Sequence, residues 1–386
     1  MFGFDIERFL KRDWQRAPRL LKRALRGFSA PIDEHDLAAL ACEPESISRL
    51  IEFDGRRKRF KLEYGPFDEA RLGKLPRSNW TLLVQDVDKW LPEVMRPLLS
   101  QFQFLPSWRV EDLMVSFATA GGSVGAHVDQ YDVFLLQARG RRHWLIDDRA
   151  ESDLSLDHEA PLKLLKHFKP NKQWVLEPGD MLYLPPGVPH HGVALDDCMT
   201  FSIGLRAPSD AEALAAVAIA LTESVGERAR YTDAKTSMSK SRHELDAAAI
   251  KRFRKLMLSA VQGLDDQFLE EHLGRFLARY RAPRALSQVA RPLKPQLFER
   301  ELGRGATLVR DEWQRMLWTR REGGALMHAQ DFSVLVPIPV AEKLCGFDGI
   351  DAAWWTSLSV DARHTLWQMY AAGVLILRPA RRLRRG

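Results

Sequence analysis

Hydrophobic and polar positions change rhythm in stages along this chain. Over residues 1–26 the apolar residues Phe9, Leu10, Trp14, Leu20, Leu21 and Leu25 recur at helical spacing among basic ones, which predicts an amphipathic helix pair interrupted near Pro18. From about 48 to 206 the texture becomes short β-rich runs separated by turn residues: Trp80–Val87, Leu113–Phe117, Tyr131–Leu136, His143–Ile146, Gln173–Leu176, Met181–Leu184 and Thr200–Leu205. Many short strands at this spacing predict a barrel or a sandwich.

At Ala207–Pro208 the pattern switches to helix. Ala211–Val225 is rich in Ala and Leu, Thr232–Glu244 is polar and reads as a loop, and Ile250, Phe253, Met257, Val261, Leu264 and Phe268, then Leu273, Phe276, Leu277 and Tyr280, keep helical period over two further helices. Such stripes suit either a cover for the barrel or a symmetric interface between two copies. Pro283 and Pro292 mark a linker. Beyond it Leu297–Glu301, the strand-like Ala306–Val309 and Arg315–Thr319, Phe332–Pro337 and the helical Ala362–Ala372 follow the order of a winged helix. The expected organisation of these 386 residues is α+β, with a barrel domain at 1–208, a helical dimerisation region at 209–284 and a winged-helix-like domain at 285–386.

Charge adds a location. Asp5, Glu7, Arg8, Lys11, Arg12 and Asp13 interrupt the first apolar residues, so no signal-peptide core or membrane span is expected there and the chain is expected in the cytoplasm. Cys42, Cys198 and Cys345 form no CxxC pair and read as reduced thiols. A net charge of +6 is concentrated at the ends, in Arg16, Arg19, Lys22, Arg23 and Arg26 and in Arg381, Arg382, Arg384 and Arg385, which fits work near an anionic surface such as a ribosome.

Candidate chemistry lies in the barrel region. After the turn Gly121-Gly122-Ser123-Val124-Gly125, His127 and Asp129 stand two apart on an expected strand, so both side chains leave the same face. A second histidine, His190, follows two Pro-Gly turns in Glu177–His190 and completes a 2-His-1-carboxylate set for Fe(II). Such a triad leaves positions open for a bidentate 2-oxo acid and for dioxygen. The distal carboxylate of 2-oxoglutarate then needs a cation. In Gly140-Arg141-Arg142-His143-Trp144 an alternating strand turns Arg142 to the side opposite Arg141 and His143, and a guanidinium offers a permanent two-pronged charge. Ser116, on the strand before the Gly-rich turn, can add a hydroxyl. His191 is expected to point away, and His143, His158 and His167, set among charged residues, are expected at the surface.

At these residues the sequence resembles the JmjC ribosomal oxygenases, in particular the bacterial ribosomal protein arginine hydroxylases. The likeness rests on His127–Phe134, on Gly140–Trp144, on Glu177–Asp180 through His190, on Phe201–Pro208, on Trp80–Gln85 and on the Trp14 region, covering roughly residues 1–208. It implies a double-stranded β-helix (JmjC/cupin) barrel, a helical region that makes a homodimer and a winged-helix end. It also implies hydroxylation of an arginine in a large-subunit ribosomal protein, number sixteen in the bacterial scheme. By the same resemblance His127, Asp129 and His190 hold iron, and Arg142 and Ser116 hold 2-oxoglutarate. On the closing strand the family often carries an amide where this chain has Thr200. A histidine hydroxylase or a demethylase would use the same site. A nucleic-acid-binding regulator with a cupin sensor is the rival outside enzymes, but Ala362–Ala372 offers a groove only Arg363, His364 and Gln368, so direct nucleic-acid binding is not expected.

Overall fold

The strands Asp132–Arg139, Met181–Leu184 and Cys198–Leu205 explain the architecture of the barrel, because each is buried on both faces. The computed structural model describes residues 2–57, 59–223, 229–234, 243–280, 291–330 and 332–380. It separates into two compact units, Met1–Ala207 and Pro208–Gly386. In the first, the strands are β1 (Arg19–Leu21), β2 (Ser48–Asp54), β3 (Arg59–Tyr64), β4 (Trp80–Val84), β5 (Val110–Ala118), β6 (Asp132–Arg139), β7 (Arg142–Ile146), β8 (Lys172–Leu176), β9 (Met181–Leu184), β10 (His190–Ala194) and β11 (Cys198–Leu205). An eight-stranded sheet runs in the order β1-β9-β6-β11-β5-β4-β2-β3, and a smaller sheet runs β10-β7-β8.

Alternation sorts the side chains of the large sheet between two environments. Leu113, Val115 and Phe117 of β5, Phe134 and Leu136 of β6, and Met199, Phe201, Ile203 and Leu205 of β11 join an apolar core with Phe9, Leu37 and Met95 of the surrounding helices. The alternate positions turn inward. Val133, Leu135, Leu182 and Leu184 pack there with Trp144, Ile146 and Leu176 of the small sheet. On β5 and β11 the inward positions are polar or small apart from Met114: Asp112, Met114 and Ser116 on one, Thr200, Ser202 and Gly204 on the other, paired Ser116 with Thr200, Met114 with Ser202 and Asp112 with Gly204. Polar side chains facing into a barrel whose outer face is apolar invert the usual amphipathic strand, and they mark where the interior is a cavity rather than a core.

Near the N-terminus the expected helix pair is corrected. Only Ile6–Arg12 is helical there, and Arg19–Leu21 forms β1, antiparallel to β9 with Leu20 opposite Leu182. Pro18 ends the helical option, and the open edge of β9 offers backbone partners that a second short helix lacks. The strand expected at Trp80–Val87 stops at Val84, since Val87–Trp90 is helical.

The second unit begins with the helices Asp210–Glu223, Ala247–Gln262 and Asp266–Leu277. A mixed module follows, with a three-stranded sheet of Leu317–Arg321, Gly324–His328 and Ser333–Val336, a strand pair Thr307–Arg310 with Leu375–Arg378, and the helix Val360–Ala371. Arg321 donates to Glu270 at 2.8 Å, so the last of the three helices is tied to this sheet. The division anticipated near 284, with Pro283, the polar stretch over 235–242 and the Arg tail from 381 lie outside the described residues. Among the described residues no helix is long and apolar enough to cross a membrane.

Candidate active site

The site starts from a correction of local structure. Residues 121–131 do not form a regular strand; Ser123 and His127 make isolated antiparallel bridges to Val193 and His190. The glycines permit this path, with Gly121 and Gly125 at φ of +79° and +83°. Even so, the bridge carries His127 to the inward side of the small sheet, beside the first residue of β10.

His127, Asp129 and His190 bring one ligand atom each to within 4.8 Å of one another. Asp129 Oδ2 is 4.0 Å from His127 Nε2 and 3.7 Å from His190 Nε2. The opposite ring nitrogens face carbonyls, His127 Nδ1 at 3.0 Å from Gly125 O and His190 Nδ1 at 2.9 Å from Val188 O. A carbonyl can only accept, so each Nδ1 carries the proton and each Nε2 keeps its lone pair toward Asp129. Burial, then the neighbouring His127, pulls the His190 pKa down to about 4, which keeps the ring neutral. Two imidazole Nε2 atoms and a carboxylate converging on one point are the donor set of a divalent-metal site, and they fit Fe(II).

Behind this cluster lies a cavity of about 550 Å³ that also reaches Arg142, Ser116, Asp112, Tyr131 and Thr200. Arg142 is 3% exposed. Its guanidinium reaches Ser116 Oγ at 3.5 Å and Gly192 O at 3.3 Å, lies 5.1 Å from the Trp144 ring, and has no carboxylate at ion-pair distance among the described residues. Its Nε and the Trp144 Nε1 are buried without a partner. Burial lowers the Arg142 pKa, as an uncompensated cation requires. An unpaired buried guanidinium is costly, and a dicarboxylate with one end on the metal and the other here would satisfy it. Arg141, by contrast, is on the surface with Asp196, its Nε 2.8 Å from Oδ2.

A JmjC domain family matches residues 97–213 and a ROXA-like winged-helix family matches residues 257–375. Over 304 residues the chain is 35% identical to the ribosomal protein uL16 3-hydroxylase of Escherichia coli, which covers 78% of this chain and 79% of that protein. The chain belongs to the JmjC ribosomal oxygenases. A probable ribosomal oxygenase of Haemophilus influenzae is 36% identical over 207 residues, 53% of this chain and 50% of that protein. The structure of YcfD, a ribosomal oxygenase from Escherichia coli, in complex with cobalt and 2-oxoglutarate matches 98% of this chain and 99% of its own with a TM-score of 0.80 at 29% identity. The expected fold, a JmjC/cupin barrel followed by a winged-helix domain, is the fold of this JmjC ribosomal oxygenase.

Several cavity residues of this ribosomal oxygenase escaped sequence reasoning. Asp112 lies opposite Gly204, where an added Cβ would stand 2.5 Å from the Asp112 Oδ1, so the glycine makes room for the carboxylate. Desolvation pushes the Asp112 carboxyl up to about 7 although the nearby Lys89 opposes the rise. Tyr131 sits beside Asp129, and burial together with that carboxylate holds its hydroxyl protonated. The signal was present in the inward-facing polar series of β5, but its phase needs the register. Thr200 donates to Gln137 Oε1 at 3.2 Å, so an amide does approach this position, from β6. His191 turns toward Ser123, His143 meets Gln173 at 3.1 Å, and His158 and His167 are exposed.

Proposed function

We propose that this chain is an Fe(II)- and 2-oxoglutarate-dependent oxygenase that hydroxylates an arginine side chain of a large-subunit ribosomal protein, as a cytoplasmic homodimer. The observation that carries the reading is one cavity holding three groups of complementary chemistry: the His127–Asp129–His190 cluster, the unpaired Arg142 and the carboxyl of Asp112. His127, Asp129 and His190 would hold the metal, and Arg142 with Ser116 would hold the distal carboxylate of 2-oxoglutarate. Iron bound there supplies the activation of dioxygen for C–H oxidation, chemistry that no side chain in the cavity offers.

The protein's own contribution is placement. Arg142 fixes the cosubstrate by a two-pronged charge at the closed end of the barrel, and the apolar Val133, Leu135 and Trp144 keep water from that end. Asp112 favours a cationic guest: a substrate guanidinium can share its carboxylate, whereas a neutral imidazole leaves it unpaired. This favours arginine over histidine as the hydroxylated residue. Relatives named for ribosomal proteins support the substrate class. The test is mass spectrometry of the ribosomal protein uL16 from cells with and without the gene. Gain of one oxygen on an arginine only when the gene is present supports the reading; a gain on a histidine, or none, defeats it.

A further inference from the structure

Ser123 lies in the Gly-rich turn and has no role assigned so far, yet its hydroxyl engages three hydrogen-bond partners beside the His127–Asp129–His190 cluster. Ser123 is 4% exposed. Its Oγ donates to Gly192 O at 2.8 Å and accepts from Gly125 N at 3.0 Å. His191 Nε2 is 2.9 Å away. A hydroxyl has one proton and two lone pairs; the Gly192 carbonyl cannot donate, so it takes the proton and His191 must donate to Oγ through Nε2–H. All the valences of this oxygen are then filled by three groups, one from its own turn and two from neighbouring residues of β10.

Each of those partners leads to a functional group. Gly125, whose N–H is held by Ser123, presents the carbonyl that fixes His127 Nδ1. Gly192, whose carbonyl takes the Ser123 proton, also accepts from Arg142 Nη2. His191 directly follows His190 on β10 and is braced on its other side by Phe168, with ring centroids 6.1 Å apart. We propose that the Ser123–His191 pair is a positioning centre that sets, through one hydroxyl, both the orientation of His127 and the aim of Arg142. Neither residue is one of the groups assigned to the metal or to 2-oxoglutarate. The pair instead couples the two ends of the cosubstrate site, so that a change at either residue is felt at the metal and at the guanidinium together.

This inference rests on the iron and 2-oxoglutarate reading, and the experiment separates the two. Metal-free protein is titrated with Co(II), followed by its visible absorption, and the Mn(II)-loaded protein is titrated with 2-oxoglutarate without oxygen. The variants are Ser123→Ala, His191→Phe and His191→Gln, with thermal unfolding recorded for each. Ser123→Ala and His191→Phe are expected to weaken Co(II) binding by about ten- to a hundredfold, as loss of a ligand's supporting hydrogen bonds does, to alter the Co(II) band shape and to weaken 2-oxoglutarate. His191→Gln, whose amide can still donate to Ser123, should recover most of both. A folded Ser123→Ala protein that binds Co(II) and 2-oxoglutarate like the parent overturns the positioning role. So does a His191→Gln protein that is as weak as His191→Phe. A parent that binds no Co(II) would instead overturn the metal reading beneath it.

Discussion

His127 and His190 exchange both backbone hydrogen bonds, N to O at 3.0 Å in each direction. Their separation is therefore set by an antiparallel backbone bridge, with ring centroids 4.2 Å apart, rather than by side-chain packing alone. The geometry of the metal cluster should survive substitution of any one of its side chains. His127→Ala, Asp129→Ala and His190→Ala are expected to stay folded and to lose succinate formation by at least about two decades, because two ligands hold Fe(II) weakly and in variable geometry. Melting curves and a 2-oxoglutarate turnover assay check both halves; wild-type turnover in all three variants would reject the iron assignment.

Arg142 and Arg141 provide an internal comparison. Arg142→Ala leaves a bound dicarboxylate without its buried partner, a loss typically of about 3–5 kcal/mol, or two to three decades or more in affinity. Arg142→Lys should fall between, since an ammonium keeps the charge but not the fork. Arg141→Ala removes only a surface pair with Asp196 and should change little. Anaerobic 2-oxoglutarate titration of the Mn(II)-loaded proteins measures all three, and equal affinity for Arg142→Ala and the parent would place the carboxylate elsewhere.

These two residues also mark what was legible in the chain. Alternation in Gly140–Trp144 put Arg142 inward and Arg141 outward, and the short apolar runs of β6, β9 and β11 were visible because both faces of those strands are buried. The three residues of β1 were not, since their conformation comes from the edge of β9. Nor was the β2–β3 hairpin, whose Glu52, Lys61 and Glu63 form a half-buried ion-pair network with Arg71 that resembles a polar loop in sequence. Asp112 and Ser123 depended on register and on contacts between residues about 70 to 90 positions apart, which no local period encodes.

Asp112 predicts a pH effect with a definite sign. Its folded-state pKa, about 7, lies above the ordinary aspartate value of 3.8, so between those pH values the folded chain holds more protons than the unfolded one. Stability should fall as pH rises through this window, and Asp112→Asn should melt higher than the parent at pH 8 and lose that advantage as pH falls toward the ordinary aspartate value of 3.8. Binding of a guanidinium needs the ionised form. The KM for an arginine-containing peptide should therefore rise as pH falls below about 7, and Asp112→Asn should raise it about ten- to a hundredfold at pH 8 and flatten the profile. A peptide KM that is the same in variant and parent would remove Asp112 from substrate recognition.

The helix Ala247–Gln262 has no buried residue among its 16, yet Ile250, Phe253, Met257, Leu258 and Val261 are 43–62% exposed. Ile250, Phe253, Met257 and Val261 follow helical spacing and form one stripe, and Tyr231 stacks on Phe253 with ring centroids 4.5 Å apart, extending the patch. A helix of this length is marginal without a packed face, and a contiguous apolar stripe is rarely left to solvent. A second copy is the economical cover, because a two-fold axis across the stripe buries the same residues from both sides. Met257→Glu would put two like charges near such an axis in a dehydrated interface, each without a partner. It should convert the dimer to a monomer at micromolar concentration, while Met257→Leu should not. Light scattering reads the mass directly, and 2-oxoglutarate turnover of the Met257→Glu protein shows whether the barrel needs its partner. A parent that is already monomeric at that concentration removes the homodimer from the proposal and leaves the metal site untouched.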